Sequence, residues 1–190
     1  ISWLDFSEKE RKKMTEVIQL FRETETRDEL GVATIRDTIA EILFPGTGTL
    51  QTRARYFLFI PWHCLRREKK GHAGNKARRL NRDGELILMN GLIHNQEESV
   101  IGQRSRENLH RFPSSIYWNG LRTWGILKFS GTIWQYYQSL NHFYDRKRAY
   151  KLLEKGGAIL DTIPSNWDLD IPKPPKDFPK EMDFNLTYEE

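Results

Sequence analysis

Two sets of residues in this chain are chemically capable, and their spacings serve them unequally. The first is the histidines and the cysteine. His63, His72, His94, His110 and His142 are scattered, and Cys64 is the single thiol. A metal site needs His, Cys or carboxylates at set intervals, and a Cys/His nucleophile pair needs the two side chains facing each other. His63 and Cys64 are sequence neighbours, which point in different directions on a helix, so both are expected in the core. Gly46-Thr47-Gly48-Thr49 lacks the lysine and the preceding strand of a phosphate-cradling loop and reads as turn and cap. His72 to Lys76 does not supply a His-x-Lys nuclease pattern. Glu23, Glu25, Asp28 and Glu29 have the oxygens for a divalent ion, but a solvated connection between helices is the simpler reading. No catalytic residue, metal or cofactor is expected, and the chain reads as non-enzymatic.

The second set is basic. Arg66, Arg67, Lys69, Lys70, Lys76, Arg78, Arg79 and Arg82 give residues 66–82 a net charge of +7, whereas residues 1–45 carry −3, 83–100 carry −4 and 161–190 carry −5. Arg146, Lys147 and Arg148, with Arg104, Arg106, Arg111 and Lys151, contribute to a second positive stretch, +7 over 101–160. A basic middle between acidic ends is what a polyanion-binding face produces. Its contacts to phosphate would be independent of sequence and sensitive to salt. The competing reading is a solvated surface with an acidic tail. Tyr117, Trp118, Tyr136 and Tyr137 have faces on which bases can stack, but at helical spacing they read as core.

These residues need elements to position them. With 38% hydrophobic and 12% aromatic residues, the chain can bury a core and is not disordered. The lone cysteine rules out an internal disulfide and suits a reducing, cytoplasmic setting. The first residues, ISWLDFSEKERKK, do not have the order of a signal peptide. No apolar run approaches the ~18 residues of a membrane span, so no membrane partner is expected.

Ser7 and Glu10 form a capping box for a helix over 8–23. A second helix runs from about Gly31, with Ile35, Ile39, Ile42 and Leu43 on one face, and ends at Phe44-Pro45-Gly46. Residues 56–62, YFLFIPW, have strand-like composition and could offer a stacking surface for bases. No partner strand or hairpin signal flanks them, however, and a segment apolar on every side reads best as a helix buried all round. That helix is expected to start near Gln51 behind a Thr49 cap and to kink or end at Pro61. Arg53 and Arg55 before it should pair with carboxylates such as Asp37 or Glu41. Residues 68–82 read as a mobile loop, 83–94 as a short helix presenting Leu86, Met89 and Ile93, and 103–111 as another. Ser114 or Ser115 caps the next helix. Thr132 with Gln135 is a second capping box, opening a long helix that stops at Gly156-Gly157.

Two stretches, IRDTIAEILFPGTGTLQTRARYFLF and LRTWGILKFSGTIWQYYQSLNHF, share an apolar-Arg pair, a helix, a Phe-x-Gly-Thr turn and an aromatic-rich helix. They read as helix-turn-helix-like units, with chance similarity as the alternative. The helix behind Thr132, ending in Asp145-Arg146-Lys147-Arg148, suits a recognition helix better than the apolar one. The proline-rich end, with Trp167 and Phe178 as candidate anchors, reads as an extended surface arm. The expected architecture is therefore all-α, six to eight helices. Residues 1–67 form an N-terminal helical subdomain, 68–82 a basic loop, 83–160 a second helical subdomain and 161–190 a Pro-rich acidic arm.

ISWLDFSEKER, TRDELGVATIRDTIAEILFPGTGTLQTRARYFLFIPW, RFPSSIYWNGLRTWGI and DFPKEMDFNLTYEE together resemble a prokaryotic family, domain of unknown function 6361. The resemblance implies proteins about twice this length, encoded among anti-phage defence genes beside helicases and nucleases. It supplies no catalytic residue. The functional expectation is a non-catalytic subunit of such a defence system that binds nucleic acid, DNA in the first instance. The alternative is an interaction scaffold that docks a helicase or nuclease partner.

Overall fold

The computed structural model describes residues 32–156, 164–188 and 190. The helix expected over 8–23 and the acidic cluster at 23–29 lie outside them. The chain divides into two units, 1–43 and 44–190. Helix α1 (Val32–Leu43) belongs to the first and stops just before Pro45, where the sequence places its end.

The second unit holds four helices and no strand among the described residues: α2 (Tyr56–Lys69), α3 (Gly74–His94), α4 (Pro113–Thr123) and α5 (Ile133–Lys155). The fold is thus all-α. Helix α2 is its centre. Tyr56 and Leu58 to Cys64 are all buried, so the apolar run is interior, as its all-round apolarity requires. The helix passes through Pro61 and begins at Tyr56 rather than Gln51. The residues in front of it spend their polar groups elsewhere. Gln51 Nε2 donates to the Ile116 carbonyl (2.9 Å) and Thr52 Oγ1 to that of Ser99 (3.0 Å).

The expected basic loop is mostly helix. Gly71, at φ +67°, turns the chain after α2, and α3 starts at Gly74. Lys, Ala, Arg and Leu are strong helix formers, and Ala77 and Asn81 are buried, so packing fixes the segment. One hydrophobic cluster runs from Tyr56 to Met182, which leaves no divider at 68–82. The buried face of α3 carries Asn81, Gly84, Glu85, Leu88, Met89 and Leu92, rotated from the expected Leu86–Met89–Ile93 face. Residues 103–111 make only a 3₁₀ turn, Arg106–Asn108. There Arg106 has φ +46°, a value that breaks a right-handed helix.

Helix α4 starts at Pro113 with Phe112 as its cap residue, because proline suits the first helical position. Helix α5 opens on the expected capping box: Thr132 Oγ1 accepts from the Gln135 N–H (3.3 Å), and Gln135 Oε1 accepts from the Thr132 N–H (2.8 Å). Residues 44–55 separate α1 from α2, and 124–132 separate α4 from α5. Neither gap is the three- to four-residue turn of a helix-turn-helix, so the expected units are not confirmed.

Residues 164–188 are irregular and stitched to the helices. Leu127 and Trp167 form an antiparallel bridge. Trp62 Nε1 donates to the Pro172 carbonyl at 2.6 Å, and Trp167 and Phe178 are buried. Gly91 of α3 lets the Lys180 carbonyl approach; a Cβ there would stand 2.1 Å from that oxygen.

Candidate nucleic-acid interface

Helix α3 sorts its cations by angle. At 3.6 residues per turn, Ala77, Asn81 and Glu85 face the interior. Arg78 and Arg82, one turn apart, border that buried stripe, while Lys76 and Arg79 face outward. All four cations are exposed.

Helix α5 lies antiparallel on α3. Tyr144 Oη donates to the His72 carbonyl at 2.7 Å, just before α3 begins. Trp134 and Tyr137, near the start of α5, share a cavity with Arg78, Arg82 and Glu85. This register brings the basic end of α5 to the α2–α3 turn, where Gly71, Tyr144, Asp145 and Arg148 line one hollow of about 410 Å³.

The expected site residues divide by what occupies them. Arg66, Lys69 and Lys70 are exposed at the end of α2, and Arg146 is exposed on α5. Arg67 is half-buried, and its Nη2 donates to the Leu80 carbonyl at 2.9 Å. It therefore ties α2 to α3, and burial together with Arg66 pulls its guanidinium below the usual range. Arg148 is paired with Asp145. Lys147 lies over the Phe143 ring at 5.7 Å. Tyr117, Trp118, Tyr136 and Tyr137 are all core.

Arg55 is buried, and its partners are Asp183 and Glu190, the latter at 2.7 Å, in place of the expected Asp37 or Glu41. Arg53 donates to the Glu98 carbonyl at 3.2 Å. A buried guanidinium without carboxylates would be costly, so the chain end clamps onto α2. His63 is buried with no hydrogen-bond partner at either ring nitrogen. Burial, then Arg67 and Arg66, pull its pKa down to about 3. Burial also pushes the Cys64 thiol up, so neither residue carries charge near neutral pH. Among the described residues no three His, Cys, Asp or Glu converge as metal ligands.

Two features escaped sequence reasoning. Lys173 and Lys176 come back beside Arg66 and Lys69, around a largely apolar cavity of about 390 Å³ floored by Trp62 and Phe178. Only the chain reversal after α5 places them there, and no local signal announces it. The second is Glu85, buried at the floor of a cavity of about 330 Å³. Its Oε2 accepts from the Ser114 N–H at 2.9 Å and its Oε1 from Asn81 Nδ2 at 3.2 Å. It thereby caps α4, the role expected of Ser114 or Ser115. Burial pushes its carboxyl up to about 7, against those hydrogen bonds. Its spacing from Asn81 and from the apolar Leu88 and Leu92 was the available signal.

Fold and site together define an all-α protein with a cationic helix flanking a cavity that has an acid at its floor. The chain belongs to the family of unknown function DUF6361, whose description matches residues 1–190. No curated protein and no solved structure matches it. Among the described residues no helix is long and apolar enough to cross a membrane.

Proposed function

We propose that this chain is a non-catalytic nucleic-acid-binding subunit, with α3 as its phosphate-contacting element. The observation that carries the reading is the exposure of Lys76, Arg78, Arg79 and Arg82 along one helix, none of them in an ion pair among the described residues. Side chains already committed to carboxylates have nothing left for phosphate; none of these four is so committed, although the Arg82 guanidinium also lies over the Phe112 ring at 4.8 Å. Arg66, Lys69, Lys70, Arg146 and Lys147 extend the surface, while Arg67 and Arg148 serve mainly structure. Placement in a prokaryotic defence assembly and on DNA in the first instance rests on the resemblance, and a cytoplasmic setting on the single cysteine.

The experiment is a titration of fluorescent duplex DNA at low salt with wild type and with Arg78→Ala/Arg79→Ala/Arg82→Ala. The reading expects binding by wild type and loss in the triple variant. Absence of binding, or equal binding by both proteins, ends it.

A second reading has its own observation. The apolar cavity rimmed by Arg66, Lys69, Lys173 and Lys176, with no carboxylate in its lining, suits an acidic, apolar segment of a partner such as a helicase or nuclease. Co-purification that survives high salt without nucleic acid would favour this scaffold role.

A further inference from the structure

The cavity between α3 and α5 offers three kinds of contact in one place. Its floor is the Glu85 carboxyl, only 3% exposed. The carboxyl already accepts from Asn81 Nδ2, from the Ser114 N–H and from the Ser114 side chain. A carboxylate has about four acceptor sites, so it can still accept from a ligand, most fully if the rotatable Ser114 hydroxyl turns away. Its wall is Trp134, 57% exposed despite its size. Its rim is Arg78 and Arg82, and the Arg82 guanidinium lies 4.8 Å from the centre of the Phe112 ring. No ion pair joins either arginine to Glu85 among the described residues. A helix cap needs neither the open cavity nor the bare indole, so capping alone leaves both unexplained.

A ligand that uses all three contacts has hydrogen-bond donors at one end, a flat face in the middle and negative charge at the other end. A nucleotide has this layout. Bases stack on aromatic side chains and on arginine planes, and single-stranded bases are read at their Watson–Crick edges. The volume of about 330 Å³ is at the small end for ligand pockets and suits one nucleotide. An ionised carboxylate only accepts. Guanine places two adjacent donors, N1–H and the N2 amino group, on its Watson–Crick edge, whereas cytosine and adenine each offer one amino group beside an acceptor.

We propose that the cavity lined by Glu85, Trp134, Arg78 and Arg82 is a guanine-nucleotide pocket, with the base edge on Glu85, the base face on Trp134 and the phosphate on the two arginines. The inference rests on the nucleic-acid reading of α3 and names what the inner flank of that helix takes: a single guanine nucleotide, free or unstacked from a strand.

The test is isothermal titration of the 190-residue chain at pH 8 with GMP, CMP, ribose 5-phosphate and inorganic phosphate. GMP should bind at least tenfold tighter than the other three. Trp134→Ala, at an exposed position that folding tolerates, should weaken GMP about tenfold, the scale of one stacked base. Glu85→Gln, which replaces one acceptor by a donor, should remove the preference of GMP over CMP. No heat with GMP, equal binding of GMP and ribose 5-phosphate, equal binding of GMP and CMP, or an unaltered Trp134→Ala variant overturns the assignment. A parallel titration with oligothymidylate, which lacks guanine's two-donor edge, reports on the phosphate contacts of α3 without the guanine contacts. GMP binding without oligothymidylate binding keeps the pocket and removes the phosphate-contacting face; the converse removes only the pocket.

Discussion

Replacing Glu85 by glutamine should reshape how stability depends on pH, and the structure sets the sign. The folded carboxyl titrates near 7, against 4.5 for an unperturbed glutamate. Between these values the native state binds more protons than the unfolded one, so wild-type stability falls as pH rises through that window. A tenfold change in proton affinity is worth about 1.4 kcal/mol, so ionising Glu85 costs the fold about 3 kcal/mol in all. His63 works in the opposite direction. Its folded value is about 3 against 6.5 unperturbed, so the unfolded chain binds more protons from about pH 3 to 6.5 and stability rises with pH there.

From about 4.5 to 6.5 the two slopes offset each other. Arg78 and Arg82 from the same helix, His110, and Tyr137 of α5 border the cavity around Glu85, and they are common to both proteins. The difference between wild type and Glu85→Gln therefore isolates the one carboxyl. Urea unfolding at half-unit steps from pH 4.5 to 7.5 measures it. The variant should gain on wild type by about 1.4 kcal/mol per pH unit, with the gain levelling off above about pH 7. Parallel curves for the two proteins would refute the reasoning.

Three further predictions concern the fold. Arg55→Met leaves Glu190 buried without its partner and should cost about 3 kcal/mol in chemical denaturation, the scale of a broken buried pair. Gly91→Ala puts a methyl group into the Lys180 carbonyl. The segment at 177–182 should lift off α3, which limited proteolysis would detect as new cleavage there. Tyr136→Phe deletes a hydroxyl that donates to Glu68 at 2.7 Å and accepts from Trp167 Nε1 at 3.1 Å. With two buried groups left short of a partner, thermal unfolding should report a loss of about 2 kcal/mol.

What could be read from the chain followed from how local the cause was. The Thr132–Gln135 box fixes the start of α5 within four residues, and the all-round apolarity of Tyr56–Trp62 pointed to the interior ahead of a base-stacking surface. Glu85 and Asn81 carried only the faint signal of their spacing with Leu88 and Leu92, because a polar residue counts as surface until its partners are known, and one of them is the Ser114 N–H, 29 residues away. Residues 68–82 were misread because charge and glycine suggest a loop. Buried Ala77 and Asn81 instead hold the segment against the core. Arg55 shows the same limit, since its partners lie 128 and 135 residues further along.

The salt dependence of DNA binding addresses the proposed role most directly. Each phosphate neutralised contributes about −0.9 to the slope of log K against log salt. If Arg78, Arg79 and Arg82 each contact phosphate, removing all three should make the slope shallower by about 2.7, while Arg67→Ala should leave it unchanged. Identical slopes for wild type and the triple variant would contradict α3 as the contacting element.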